Sequence, residues 1–128
     1  MKIAEVSKRY DISSDTLRYY ERIGLLNPVA RTPNGIRNYT EADCQRIEFV
    51  KCMRNAGMPI EALIEYMHLM DQGDETAAQR KSLLEEQRDR IAERIEAMQE
   101  GLNRLNAKIE TYDTHLFNVE RQMNQARH

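Results

Sequence analysis

The sequence has no tryptophan, only two phenylalanines and six tyrosines, three prolines, five glycines and two cysteines in 128 residues. So few aromatics, with a charged fraction of 31%, leave material for one modest helix-rich core and not for two full domains. No apolar run approaches the roughly 18 residues that cross a bilayer, and the opening MKIAEVSKRYDIS has no apolar stretch of signal-peptide length, so a cytoplasmic protein is expected. Cys44 and Cys52 fall on one expected helix, about 12 Å apart along its axis, beyond the ~7 Å reach of a disulfide. His68, His115 and His128 show no metal-ligand spacing with one another or with the cysteines, so neither a metal nor a cofactor is expected. No histidine lies near Cys52 in the chain and no oxyanion-hole motif is present, which argues against an enzyme. The chain also lacks a strong charge of either sign, at −2 overall, but that average hides a split. Residues 1–58 carry 10 basic and 7 acidic side chains, and residues 59–128 carry 9 basic and 14 acidic ones, as in a polyanion-binding half joined to a solvated half.

What is present centres on Ser13 to Tyr39. Ser13 or Ser14 is placed to cap a short helix, Asp15 suits the positive end of its dipole, and Gly24 ends it. At 100° per residue, Leu17 and Tyr20 share one side and Asp15, Arg18, Tyr19 and Arg22 the other, so one face anchors the helix while the other displays arginine and tyrosine. The preceding segment repeats Ile3, Val6 and Tyr10 at helical spacing, and a tight Asp11-Ile12-Ser13 connection makes the pair a helix-turn-helix. Beyond Pro28, Val29-Ala30-Arg31, a Pro33-Asn34-Gly35 turn and Ile36-Arg37-Asn38-Tyr39 read as a small hairpin with one arginine on each arm. Thr40 caps a third helix that runs to Ala56 and stops at Gly57, with Ile47, Val50 and Met53 as its buried stripe, flanked by Phe49 and Ala56. On this reading Cys52 sits at the edge of the apolar face and Cys44 on the polar side. Pro59 opens a fourth helix with an Ile60, Leu63, Ile64 and Met67 face, and Asp71-Gln72-Gly73-Asp74 breaks it.

From Ala77 onward a heptad seam is laid down by Leu84, Ile91, Ile95, Met98, Leu102, Leu105, Ile109, Tyr112, Leu116, Val119 and Met123. It implies one continuous helix of about 45 residues, roughly 70 Å long, which cannot bury such a seam alone and calls for a partner helix. Lys81 and Arg88 interrupt the first heptads, so the first two turns are expected to pack on the N-terminal domain of the other subunit. The expected architecture is therefore mainly α: a winged helix-turn-helix domain with a supporting helix pair over residues 1–70, a linker over 71–76, and a long C-terminal coiled-coil helix for dimerisation over 77–128.

These residues resemble the MerR family of bacterial transcription regulators, through Thr16-Leu17-Arg18-Tyr19-Tyr20-Glu21 followed by Gly24-Leu25-Leu26, Arg31, the Gly35 to Tyr39 arm and the terminal coiled coil. The resemblance implies a homodimer held by an antiparallel coiled coil. Such a dimer binds double-stranded promoter DNA with a long spacer and distorts it so that RNA polymerase can use it. It also implies that Arg18 and Tyr19 contact the major groove, that Tyr20 and Tyr39 pack or touch backbone, and that Arg31 and Arg37 of the wing grip flanking phosphates. Ser14, Thr16 and Arg22 complete the candidate DNA-binding set. The cysteines that family metal sensors carry near the start of the long helix and in the loop after it are absent. Cys52, within Lys51 to Gly57, is similar to the lone cysteine of the subgroup that responds to aldehydes, other electrophiles or nitrosative stress. Neighbouring Lys51 and Arg54 are of the sign that favours a thiolate. A non-covalent ligand in place of Cys52 chemistry, a small thiol enzyme and a coiled-coil adaptor are the alternatives.

Overall fold

The computed structural model describes residues 1–126, so the expectations for His128 and for the last two positions of the coiled-coil segment lie outside the described residues. The order of elements is α1 (Ile3–Tyr10), α2 (Ser14–Arg22), α3 (Glu41–Asn55), α4 (Ile60–Asp71), a 3-10 turn (Asp74–Thr76), α5 (Ala77–Glu110), a π-helical turn (Tyr112–Leu116) and α6 (Phe117–Ala126). The chain divides into two compact units, Met1–Gln87 and the residues from Arg88 onward.

In the first unit the local signals act where the sequence places them. The Ser13 hydroxyl accepts a hydrogen bond from the Thr16 amide at 3.1 Å and caps α2. Gly24, at φ +83°, takes the left-handed conformation just past the helix. Thr40 and Asp43 form a reciprocal capping box at the head of α3. The wing is a single antiparallel bridge between Arg31 and Arg37, and no strand forms among the described residues. Its turn closes with the Gly35 amide on the Thr32 carbonyl at 2.8 Å, with Gly35 at φ +82°. Val6, Leu17, Leu25, Ile47, Val50 and Leu63 are fully buried and form the centre of the core.

Expectations for α3 and for the C-terminal segment are corrected. The inner face of α3 consists of Cys44, Ile47 and Val50, centred on Ile47, so Cys44 is buried and not on the polar side. Cys52, about 140° around the helix from Ile47, is exposed and not at the edge of the core, and Ala56 is exposed with it. The first turns of α5 pack on the chain's own first unit through Leu83 and Gln87, with Leu84 half-buried against the same core. Nor is the C-terminal segment one helix. α5 is 34 residues long and ends at Thr111, whose hydroxyl donates back to the Ala107 carbonyl at 3.1 Å and whose carbonyl takes the amides of Thr114, His115 and Leu116. Two threonines whose hydroxyls bond the backbone, in a stretch of weak helix formers, convert one turn to π geometry.

Arg46 is the main polar tie of the core. Its Nε donates to the Leu25 carbonyl at 3.2 Å, and its two terminal nitrogens reach both Asp71 oxygens at 2.9 and 3.2 Å, joining α3, the end of α4 and the segment after α2. These hydrogen bonds hold the Asp71 carboxyl below its ordinary value. A depressed carboxylate stabilises the fold above its unfolded pKa and loses that contribution as pH falls through the folded one. Urea unfolding measured from pH 7 to pH 3 should therefore show stability falling below about pH 4, with a shallower fall in Asp71→Asn. Arg46→Ala, which also strips the Leu25 carbonyl of its donor, should cost about 2 kcal/mol at neutral pH.

Candidate nucleic-acid interface

Helix α2 is held by its inner face, with Leu17 buried and Tyr20 half-buried, and this leaves Arg18, Tyr19 and Arg22 exposed. Arg18 reaches the exposed Asp15 carboxylate at 3.0 Å, one turn back. The guanidinium of Arg22 lies over the Tyr19 ring, 5.4 Å from its centroid, which stiffens both side chains at the surface. Tyr20 stands 6.2 Å from Tyr19, ring to ring, and the Leu25 and Leu26 amides both donate to its carbonyl, so the chain turns away from the helix beneath the displayed face. Ser14 is half-buried at the first helical position, and the Thr16 hydroxyl accepts from that of Ser13 at 2.8 Å. Thr16 is thus engaged in the cap.

The two wing arginines have different surroundings. Arg31 is exposed, with a terminal nitrogen on the Gly35 carbonyl of its own turn at 2.8 Å. Arg37 folds toward α2, where its Nε meets the Glu21 carboxylate at 3.0 Å. Tyr39 is buried in the core at the base of the wing, its hydroxyl has no hydrogen-bond partner, and burial raises its pKa. Of the expected contact set, Arg18, Tyr19, Arg22 and Arg31 are therefore displayed, while Tyr20, Arg37 and Tyr39 are partly or wholly inward.

Sequence reasoning missed a polar groove of about 260 Å³ at the head of α2. It is lined by Ser13 and Thr16 from α2 and its cap and by Lys51, Arg54 and Asn55 from the end of α3. Lys51 donates to the Tyr10 carbonyl and Arg54 to the Met58 carbonyl. These two cations thus serve the helix-turn-helix frame and not only the neighbourhood of Cys52. A helical-wheel position for Lys51 only 40° from Ile47 was the available signal.

The second unit presents the seam. Ile95, Met98, Leu102, Leu105 and Ile109 are all more than half exposed, Met98 at 76% and Ile109 at 68%; Ile91, Leu116 and Val119 are half-buried. After the π-helical turn, Tyr112 and Phe117 pack with centroids 6.1 Å apart, and the Tyr112 phenol is pushed up by its hydrogen bond to the Glu120 carboxylate. His68 and His115 are exposed, and no three metal-ligating side chains converge among the described residues. Among those residues no helix is long and apolar enough to cross a membrane.

Comparison with known proteins fits this geometry. Residues 1–69 match the family described as MerR HTH family regulatory protein, and residues 44–108 match the family described as MerR, DNA binding. The HTH-type transcriptional regulator AdhR of Bacillus subtilis is 54% identical over 93 residues, covering 73% of this chain and 66% of AdhR. The crystal structure of a MerR family transcriptional regulator from Listeria monocytogenes is 42% identical and superposes with a TM-score of 0.80, over 99% of this chain and 96% of that one. HiNmlR, a MerR family regulator lacking the sensor domain and solved bound to promoter DNA, is 30% identical with a TM-score of 0.73, over 88% of this chain and 89% of its own. With the helix-turn-helix, the wing and the long C-terminal helix all in place, the chain belongs to the MerR family of helix-turn-helix regulatory proteins.

Proposed function

We propose that this chain is a dimeric transcriptional regulator that binds promoter DNA and distorts it for RNA polymerase. The observation that supports this reading best is the outer face of α2: Arg18, Tyr19 and Arg22 stand exposed side by side on a helix pinned from behind by Leu17. An α-helix of this kind fits the major groove, arginine reads guanine or holds phosphate there, and the exposed Arg31 of the wing would meet a flanking phosphate. HiNmlR, with the same fold, was solved on promoter DNA. The exposed seam of α5 provides for pairing with a second copy, and such a pair can offset the few kcal/mol that bending a site costs.

Cys52 is the proposed switch. Its exposure leaves the thiol open to an electrophile, whereas the buried Cys44 is not. With an aldehyde, the thiolate sulfur bonds to the carbonyl carbon, the carbonyl electron pair moves to oxygen, and water supplies the proton that completes the hemithioacetal. The adduct would then stand on the same face of α3 as Ala56, beside the Phe49 ring, which stacks on Tyr66 at 5.3 Å. A change there alters what α3 presents to a second copy.

Binding of the duplex upstream of its own coding sequence, followed by fluorescence anisotropy, tests the DNA reading. Arg18→Ala should weaken binding by at least about tenfold, the worth of one good groove contact. Asp15→Asn should tighten it about twofold, because an exposed ion pair is weak and its loss frees Arg18 while removing a negative charge facing phosphate. For the switch, transcription from that promoter should respond to formaldehyde in the wild type and not in Cys52→Ser. An equal response in both would transfer sensing to a non-covalent ligand.

A further inference from the structure

Glu21 has no role in the reading above, and Arg37 is a poor phosphate grip. A gripping arginine presents its guanidinium to solvent, whereas the Arg37 side chain is only 22% exposed and its Nε is held by Glu21, itself 17% exposed, at 3.0 Å. Glu21 lies in the last turn of α2, about 60° around the helix from Arg18 and 40° from the buried Leu17, on the flank between the displayed face and the core. A bare carboxylate there would repel phosphates. The wing, for its part, has one bridge, a four-residue turn and the bonds from the Asn38 amide to the Ala30 carbonyl and from the Thr32 amide to the Ile36 carbonyl. A two-stranded ribbon that short does not hold its own angle. Tyr39 anchors its base in the core, Met1 bonds Asn38 and the Tyr39 backbone at that base, and the Arg37–Glu21 pair is the tie between the returning arm and α2.

We infer that Glu21 is a positioning residue: it draws Arg37 onto α2, fixes the wing at the angle at which Arg31 meets its phosphate, and is itself neutralised by the same contact. This rests on the DNA-binding reading. Arg37 acts through Glu21 and contributes no phosphate contact of its own.

Affinity for the upstream duplex, measured against salt concentration for wild type, Glu21→Gln, Arg37→Gln, the double variant and Arg31→Gln, separates this from the alternatives. Electrostatics alone predicts tighter binding in Glu21→Gln, which removes a negative charge. The positioning role predicts binding about tenfold weaker, with Arg37→Gln equally weak and the double variant no worse than either single one. Arg37→Gln should keep the wild-type salt slope, while Arg31→Gln should lose about one unit of it, the signature of one lost phosphate contact. Tighter binding by Glu21→Gln, or a unit of slope lost in Arg37→Gln, overturns the inference. Amide exchange of Thr32 and Asn38 in the free protein needs no DNA: it should quicken in both Glu21→Gln and Arg37→Gln, and unchanged exchange overturns the tie. Faster exchange in a protein whose wild type binds no DNA would instead establish the tie and refute the DNA reading.

Discussion

The constraint on which the rest depends is the apolar seam of α5. Ile95, Met98, Leu102, Leu105 and Ile109 stand in water along one side of a 34-residue helix, and each would gain about 2 kcal/mol from full burial. No element of the described chain covers them, and a lone helix has no other way to bury them. In the proposed dimer a second copy would supply the matching seam by symmetry, an interface that is self-complementary. Such a dimer would also double the α2 face, and one nine-residue helix with a single-bridge wing offers a duplex few contacts.

Within the first unit, polar ties aim the surface that apolar packing supports. Leu17, Leu25 and Ile47 bury the inner side of α2 and the segment after it in the shared core without dictating what the outer face carries. Arg46 joins α3, α4 and the segment leaving α2 through three hydrogen bonds, and the Glu21 and Arg37 side chains meet between α2 and the wing. Partly buried charged pairs of this sort are weak devices for raising stability, but their bond geometry favours one arrangement over its neighbours. The same arrangement leaves Cys52 in the open and Cys44 inside, so the two cysteines of one helix meet different chemistry.

The α2 face was legible in the sequence because its apolar and polar residues alternate with helical period and a capping serine marks its start. The caps of α3 and the wing turn were legible for the same reason: Thr40 with Asp43, and Pro33-Asn34-Gly35, fix local geometry by themselves. The register of α3 was not. Arg46, on the Leu25 carbonyl and the Asp71 carboxylate, and Lys51, on the Tyr10 carbonyl, turn partly inward, so charge does not mark the outer side of this helix, and a stripe extended to Met53 and Ala56 puts both cysteines on the wrong sides. The break at Thr111 was hidden because the apolar spacing continues from Ile109 through Tyr112 to Leu116 while the backbone hydrogen bonds change. The contact between Glu21 and Arg37 spans sixteen residues and exists only once the wing has folded back on α2.

Whether two chains act together on one duplex decides the account. Sedimentation of the protein with its upstream duplex, at a ratio that saturates the DNA, gives the mass of the complex directly. Two chains per duplex, with the free protein already at twice the mass of the chain, is the predicted result. One chain per duplex, from a protein that is monomeric and folded when free, would contradict it.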